Sequence, residues 1–231
     1  MSNLVIVSET SSADRPADER RRKLMDAALT VFLRFGFRKT SMDEVARAAN
    51  VSRQGLYLHF ATKEELFRAS AAYFLDASLA AVTTALAAAE RPLEERLVAA
   101  FDTWTGRFVG AFGVDAADLA AVTKDLVGPL AAEREGQFVE AVADALRASG
   151  LVAAYAPAGV TGRQLADTLY ASARGLKHSA ATREDFVEAM SVAVRVMCLP
   201  QREEREKRTK KRPTGPRPEG GRPRKARGAA R

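Results

Sequence analysis

Residues 40–60, TSMDEVARAANVSRQGLYLHF, decide how the chain folds. They open with two overlapping capping boxes, Thr40 with Asp43 and Ser41 with Glu44, in which side chains satisfy free backbone N–H groups of a first helical turn. Met42, Val45, Ala46 and Ala49 then recur at the spacing of one helix face, and the helix is expected to end at Asn50. Asn50 is the commonest substitute for glycine in a left-handed turn, because its short amide can satisfy local backbone groups. Val51 is expected to plug the gap that follows. Ser52 caps a second short helix running to about Phe60, with Leu56 and Phe60 in the core. Two short helices on so tight a turn have the size and spacing of a helix–turn–helix. Caps and spacing alone leave that assignment open.

The flanks extend the helical pattern. Upstream, Asp18 is a candidate N-cap, and Leu24, Ala28, Val31, Phe32 and Phe35 share one face before Gly36 supplies a left-handed stop. Downstream, Thr62 with Glu65 caps a long alanine-rich helix to about Ala89. Further helices are expected near 93–112, 116–127, 130–149, 161–180 and 183–198, with Pro92, Pro129 and Pro157 at turns. No segment alternates with period two over β-branched residues. The fold class is all-α: a three-helix helix–turn–helix domain, then a larger helical bundle, then a disordered basic tail. The expected boundaries are 1–17 for a loose arm, 18–66 and 67–199 for the two bundles, and 200–231 for the tail.

Composition narrows the function. The 231 residues carry 36 Lys and Arg against 29 Asp and Glu, a net +7. Residues 200–231 alone hold 13 basic side chains and 4 Glu, so the excess lies in the tail and the body is close to neutral. Arg, Lys, Pro, Gly and Glu give the tail nothing to bury against its ordering entropy. The single Cys198 excludes an intrachain disulfide and a thiolate cluster, consistent with a reducing cytoplasm. The opening MSNLVIV lacks a basic n-region, and no run approaches the ~20 apolar residues that span a bilayer, so no membrane partner is expected. His59, His178 and Cys198 have no metal-ligand spacing. No phosphate loop follows a strand, and no nucleophile–base ordering stands out. No enzyme, metal or cofactor is expected.

Residues 21–67, RRKLMDAALTVFLRFGFRKTSMDEVARAANVSRQGLYLHFATKEELF, resemble the N-terminal domain of the TetR family of transcriptional regulators. Gly36-Phe37, Thr40-Ser41, Val45-Ala46, Val51-Ser52, Leu56-Tyr57, His59-Phe60 and Lys63-Glu64 stand at that family's signature positions. Asn50 replaces the usual glycine, and Gln54-Gly55 stands where glycine then threonine is frequent. The second difference falls on the base-reading face and bears on sequence preference. The resemblance implies a dimer on operator DNA, and phosphate contacts through Thr40 or Ser41, Tyr57 and His59. Packing, caps or a core histidine are the plainer roles for the same residues.

Side-chain chemistry supplies the rest of a candidate DNA surface. Arg22, within the basic run Arg20–Lys23 at the start of the first helix, sits where the macrodipole disfavours cations, so an external phosphate is one partner and solvent the other. Ser52, Arg53 and Gln54 open the helix that would enter a major groove. Arg53 can bond guanine O6 and N7, and Gln54 adenine N6 and N7; a solvated face is the alternative. Gly55 costs roughly 1 kcal/mol of helix propensity, which suggests a steric need. Lys63 adds a cation to a helix N-terminus, a phosphate clamp.

One such domain needs a partner for affinity, and two-fold pairing would match a palindromic operator. Leu165, Leu169, Ala173 and Leu176 on one late helix, with Phe186, Met190, Val194 and Met197 on the next, form a candidate dimer face; an intramolecular core is the alternative. Phe101, Trp104, Phe108 and Phe112 form an aromatic stripe which, with Tyr170, is either core or the wall of a site for an apolar or aromatic small-molecule effector. In the tail, Arg222-Pro223-Arg224 suits a narrow A·T minor groove, or acts as a plain electrostatic tether. The leading expectation is a dimeric repressor released from a palindromic operator by a ligand. An architectural DNA binder driven by the tail, and a helical binding module without DNA recognition, are its competitors.

Overall fold

The structure is a computed structural model that describes residues 14–110 and 116–210, with side chains for 19–110 and 118–200. Among the described residues there are helices and no strands. In chain order they are α1 (Asp14–Phe35), α2 (Met42–Ala48), α3 (Arg53–Tyr57), α4 (Lys63–Ala87), α5 (Leu93–Trp104), α6 (Ala116–Ala148), α7 (Leu151–Tyr155), α8 (Gly162–Ser179) and α9 (Arg183–Lys210). Short 3-10 turns follow α5 at Gly106–Phe108 and α7 at Ala156–Ala158.

Two apolar cores organise these helices. The N-terminal one gathers Leu24, Ala28 and Phe32 of α1, Met42 and Val45 of α2, Leu56 of α3 and Phe60. Leu66, Phe67 and Ala71 of α4 close it, and Leu119 and Val127 of α6 reach into it from the far bundle. Phe32, Phe37 and Phe67 form an aromatic knot with ring centroids 5.2–5.6 Å apart. The larger core holds Val82 and Leu86 of α4, Leu97 and Phe101 of α5, Phe138, Val142 and Leu146 of α6, and the inner faces of α8 and α9. Helices α4 and α6 therefore run through both cores.

Local chemistry explains where several expected boundaries moved. Helix α1 begins at Asp14 rather than Asp18. The run Arg20–Lys23 then lies beyond the first turn, where the macrodipole penalty has largely faded. Gly36 takes the left-handed conformation expected of it, φ 81°, and its N–H bonds the Phe32 carbonyl at 2.9 Å. Because the chain turns away there, Phe35 stays 47% exposed, with the Arg34 guanidinium over its ring at 5.1 Å. The helix expected over 93–112 stops at Trp104, so Phe101 and Phe108 do not share one helix.

Pro129 does not break the chain as expected; α6 is one helix of 33 residues containing it. A proline inside a helix costs about 3 kcal/mol. Pro129 and Asp125, whose carbonyl loses its partner, both lie on the exposed side, where water can replace the bond. The buried side chains on either side contribute roughly 1.5–3 kcal/mol each, which outweighs that loss. Helix α9 likewise continues through Pro200 to Lys210, past the expected start of the tail. By length and composition α4 is apolar enough to cross a membrane, contrary to expectation, yet Leu66, Phe67, Val82 and Leu86 are buried in the two cores.

Candidate nucleic-acid interface and effector cavity

The helix–turn–helix is fixed by a small set of polar contacts. Ser41 is the N-cap of α2, and its capping box with Glu44 is complete: the Glu44 N–H donates to Ser41 Oγ at 3.2 Å, and the Ser41 N–H donates to Glu44 Oε2 at 2.7 Å. The Ser41 N–H, with the Ser41 hydroxyl donating to the same oxygen at 2.9 Å, holds the Glu44 carboxyl below its usual range. Of the two overlapping boxes only this one forms, because Thr40 is buried and its hydroxyl donates to the Gly36 carbonyl at 2.7 Å. Thr40 thus ties the end of α1 to the start of α2. Asn50 carries the turn at φ 55°, the left-handed conformation its amide was expected to tolerate. Val51 is 38% exposed and so fills no gap between helices.

Ser52 caps α3 by accepting the Gly55 N–H at 3.0 Å. A Cβ on Gly55 would stand 3.1 Å from that hydroxyl, so glycine keeps the cap uncrowded. The helix is shorter than expected, ending at Tyr57. Leu56 and Phe60 anchor it inward, which leaves Ser52, Arg53, Gln54 and Tyr57 on the exposed face and His59 half-buried. Arg53 is positioned by Asp43 of α2 at 3.1 Å, and its guanidinium lies 5.6 Å from the Tyr57 ring. Arg22 is exposed on α1, while its neighbour Arg21 sits 4.6 Å over the Phe60 ring.

Lys63 differs from the expected phosphate clamp. Its ammonium donates to the Phe37 and Thr40 carbonyls, at 3.0 and 2.9 Å, and lies 4.4 Å above the Phe37 ring. It staples the start of α4 to the loop between α1 and α2. A second link was invisible in the sequence: Asp118 of α6 accepts the Arg38 backbone N–H at 2.9 Å and pairs with its guanidinium at 3.1 Å. Eighty residues separate the partners, and neither belongs to a local pattern.

The larger bundle contains a cavity of about 400 Å³ between α4, α5, α6 and α8. Of the aromatic set, Trp104, Phe108 and Tyr170 line it. Phe101 does not; it is fully buried and meets Phe138 edge-on at 5.2 Å. Phe112 lies outside the described residues. Phe74, Leu75 and Ser78 of α4, Thr105 after α5, Ala131 and Glu135 of α6, and Arg174, Lys177 and His178 of α8 complete the lining. Their spacing along α8 could have signalled a polar wall, but only once the burial of Leu169 and Ala173 had fixed the helix rotation. Burial pushes the Tyr170 phenol up, helped by Glu135; burial pulls Lys177 down, helped by Arg174.

The expected dimer residues are placed otherwise. Leu165, Leu169, Ala173, Phe186, Met190 and Val194 are buried within the chain's own core, and Leu176 and Met197 pack half-buried against it. The surface left on these helices carries Ala171 and Gly175 on α8, and Val192, Val196 and Leu199 on α9, at 47%, 60% and 48% exposure. Arg222, Pro223 and Arg224 lie outside the described residues. Among the described residues no group of acidic, histidine or cysteine side chains could hold a metal ion.

Among the described residues, two short helices on this turn, the second with an exposed face, have the form of a helix–turn–helix. Residues 24–70 match the family described as bacterial regulatory proteins, tetR family, and the chain carries that family's N-terminal domain. It is 37% identical over 97 residues to the HTH-type transcriptional activator FasR of Mycolicibacterium smegmatis, covering 37% of this chain and 44% of that one. It is 34% identical over 58 residues to IcaR of Staphylococcus epidermidis, a negative regulator of a biofilm operon, covering 23% and 31%. The chain thus spans less than half the length of these curated relatives. The structure of the TetR-family regulator PfmR of Thermus thermophilus superposes with TM-score 0.51 at 20% identity, covering 78% of this chain and 97% of that one, a likeness of fold.

Proposed function

We propose that the chain is a dimeric transcriptional repressor that reads a palindromic operator through α3 and leaves it when a small molecule fills the cavity. The observation that carries this is the exposed Ser52–Tyr57 face, held rigid by the Asn50 turn and the Arg53–Asp43 pair. Arg53 and Gln54 supply base contacts; Ser41, Tyr57, His59 and Arg22 are positioned for phosphates, and Gly55 admits the backbone closely. Thr40 and Lys63 act by holding this surface in shape. Dimerisation uses Val192, Val196 and Leu199 with the small residues Ala171 and Gly175, since the inner faces of α8 and α9 are taken by the core.

Coupling follows from the two shared helices. Phe74 and Ser78 on α4, and Ala131 and Glu135 on α6, line the cavity; the same helices end in the N-terminal core, where Asp118 holds Arg38. A ligand that shifts either helix changes the separation of the two reading helices, and a mismatch of a few ångströms prevents both from docking at once. Acting on DNA places the protein in the cytoplasm.

Protection mapping on DNA flanking the protein's own coding region tests the assignment. The expected result is a palindrome with half-sites roughly 34–36 Å apart. Binding that survives an Arg53→Ala, Gln54→Ala double change but not removal of residues 211–231 would instead identify an architectural binder.

A further inference from the structure

Charge is unevenly distributed along the cavity. Tyr170, Arg174 and Lys177 stand at spacings of four and three on α8, so the cavity wall spans two turns, roughly 10 Å at 1.5 Å per residue. At one end Tyr170 engages Glu135 and lies near Trp104, whose indole stacks on Phe138 at 4.8 Å and 6°. At the other end the Lys177 ammonium sits 5.3 Å from the Phe108 ring, which meets Phe74 edge-on at 5.3 Å. Behind Phe74 and Ser78 lies a third cation: Arg107 covers the Phe74 ring at 4.7 Å and donates to Ser78 Oγ at 3.0 Å.

The carboxylate that acts on Arg107 is shared with another arginine. Asp102 accepts two bonds from Arg183, both 2.7 Å, a bidentate pair, and it also opposes the effect of burial on Arg107. Among the described residues no carboxylate forms an ion pair with Arg107 or Arg174. Burial lowers the proton affinity of Arg107 and Lys177, and in each case a neighbouring arginine adds to it. A cationic guest would add to this repulsion. A neutral apolar guest would bury the cations further with nothing in return. An anionic head group relieves both.

We infer that the cavity takes an amphipathic organic anion, with a flat apolar body against Trp104 and Phe108 and an acidic head at Arg174 and Lys177. This rests on the cavity being the effector site. Arg107 strengthens the head site through Ser78 and the Phe74 ring without having to touch the guest. The length of the wall suits a body of two or three fused or linked rings, or an acyl chain of similar reach.

Two matched dyes on the full-length protein test this: 1-anilinonaphthalene-8-sulfonate, and N-phenyl-1-naphthylamine, which has the same aromatic body without the sulfonate. Quenching of Trp104, the one tryptophan of the chain, reports occupancy. The sulfonate is expected to saturate, and Arg174→Gln with Lys177→Gln to weaken it at least tenfold while changing the neutral dye less than twofold. Arg174→Gln alone, at an exposed position, is expected to show the same selectivity to a lesser degree. Ala131→Phe, which fills the cavity, should abolish quenching by the sulfonate. If both dyes bind alike and the charge variants weaken neither selectively, the anion preference is wrong while the effector site stands. If neither dye quenches Trp104, or Ala131→Phe leaves quenching intact, the effector-site assignment fails and the inference with it.

Discussion

Lys63 separates a structural role from a DNA-contacting one. Replacing it with methionine keeps the apolar stem and removes two charged donors, to the Phe37 and Thr40 carbonyls, and the cation over the Phe37 ring. Hydrogen bonds to charged groups contribute about 1.5–3 kcal/mol each, and an exposed cation–π contact about 0.5–1. Lys63 is half-buried, so water recovers part of this, and a net loss of roughly 2–4 kcal/mol is expected. For a chain of this size 1 kcal/mol moves Tm by about 2–4 °C, so Lys63→Met should melt roughly 5–15 °C lower by circular dichroism. DNA affinity at a temperature where the variant is folded should keep its salt dependence. A phosphate clamp predicts the reverse: Tm unchanged within about 1 °C, and a slope of log K against log salt smaller by about one. That result would refute the staple.

The remaining expectations address the reading face, the core, pH and the tail. Arg53→Ala and Gln54→Ala should each cost about 1–3 kcal/mol on the cognate operator and little on random DNA, measured by competition gel shift. Gly106→Ala should destabilise by about 1–3 kcal/mol in thermal melts, because its Cβ would stand 2.6 Å from Asp102 Oδ1 and 2.8 Å from the Phe186 ring. Glu44 has a folded pKa below its unfolded value of 4.5, so its stabilisation is complete above pH 4.5 and is lost as pH falls through the folded value. Glu44→Gln, which can still form the capping box, should lose that part of the acid dependence of Tm. Removing residues 211–231, with eight basic side chains against one acidic, should weaken DNA binding and flatten its salt dependence while leaving the footprint in place.

What was legible in the sequence was whatever is settled within a few residues. Ser41 with Glu44, the Asn50 turn, Ser52 and the Gly36 stop are contacts of span four or less, and local chemistry specifies them. Thr40 shows the limit of that kind of inference. Thr40 and Ser41 both satisfy the same capping pattern, and the choice between them is made by the Gly36 carbonyl and by burial under the α1–α2 corner. Lys63 is a related case: a cation at a helix N-terminus looks like an anion site alone, and the sequence does not show that two carbonyls from residues 23 and 26 positions earlier also bond it. The dimer face failed differently. Periodicity found the apolar stripes of α8 and α9 correctly, but an apolar stripe does not say whether its partner is the same chain or another. The surface left over for a partner is made of small residues and isolated valines, and gives only a weak hydrophobic signal.

The misjudged proline matters most for mechanism. With a turn at Pro129, the segment 116–127 would be a separate helix, and only α4 would join the N-terminal core to the larger one. A single connecting helix can pivot about its own axis without fixing the orientation of what it carries. With α6 continuous, two helices enter the N-terminal core, one supplying Leu66, Phe67 and Ala71 and the other Leu119 and Val127. Asp118 then pins α6 to Arg38, at the loop that Lys63 staples to α4. On the proposed mechanism, two attachments to one corner would turn a relative shift of α4 and α6 at the cavity into a rotation of the N-terminal domain. Pro129 lies two residues before Ala131 of the cavity wall, at the point in α6 where one backbone hydrogen bond is missing. On that mechanism, the helix is weakest in bending between the cavity and the domain whose movement would release DNA.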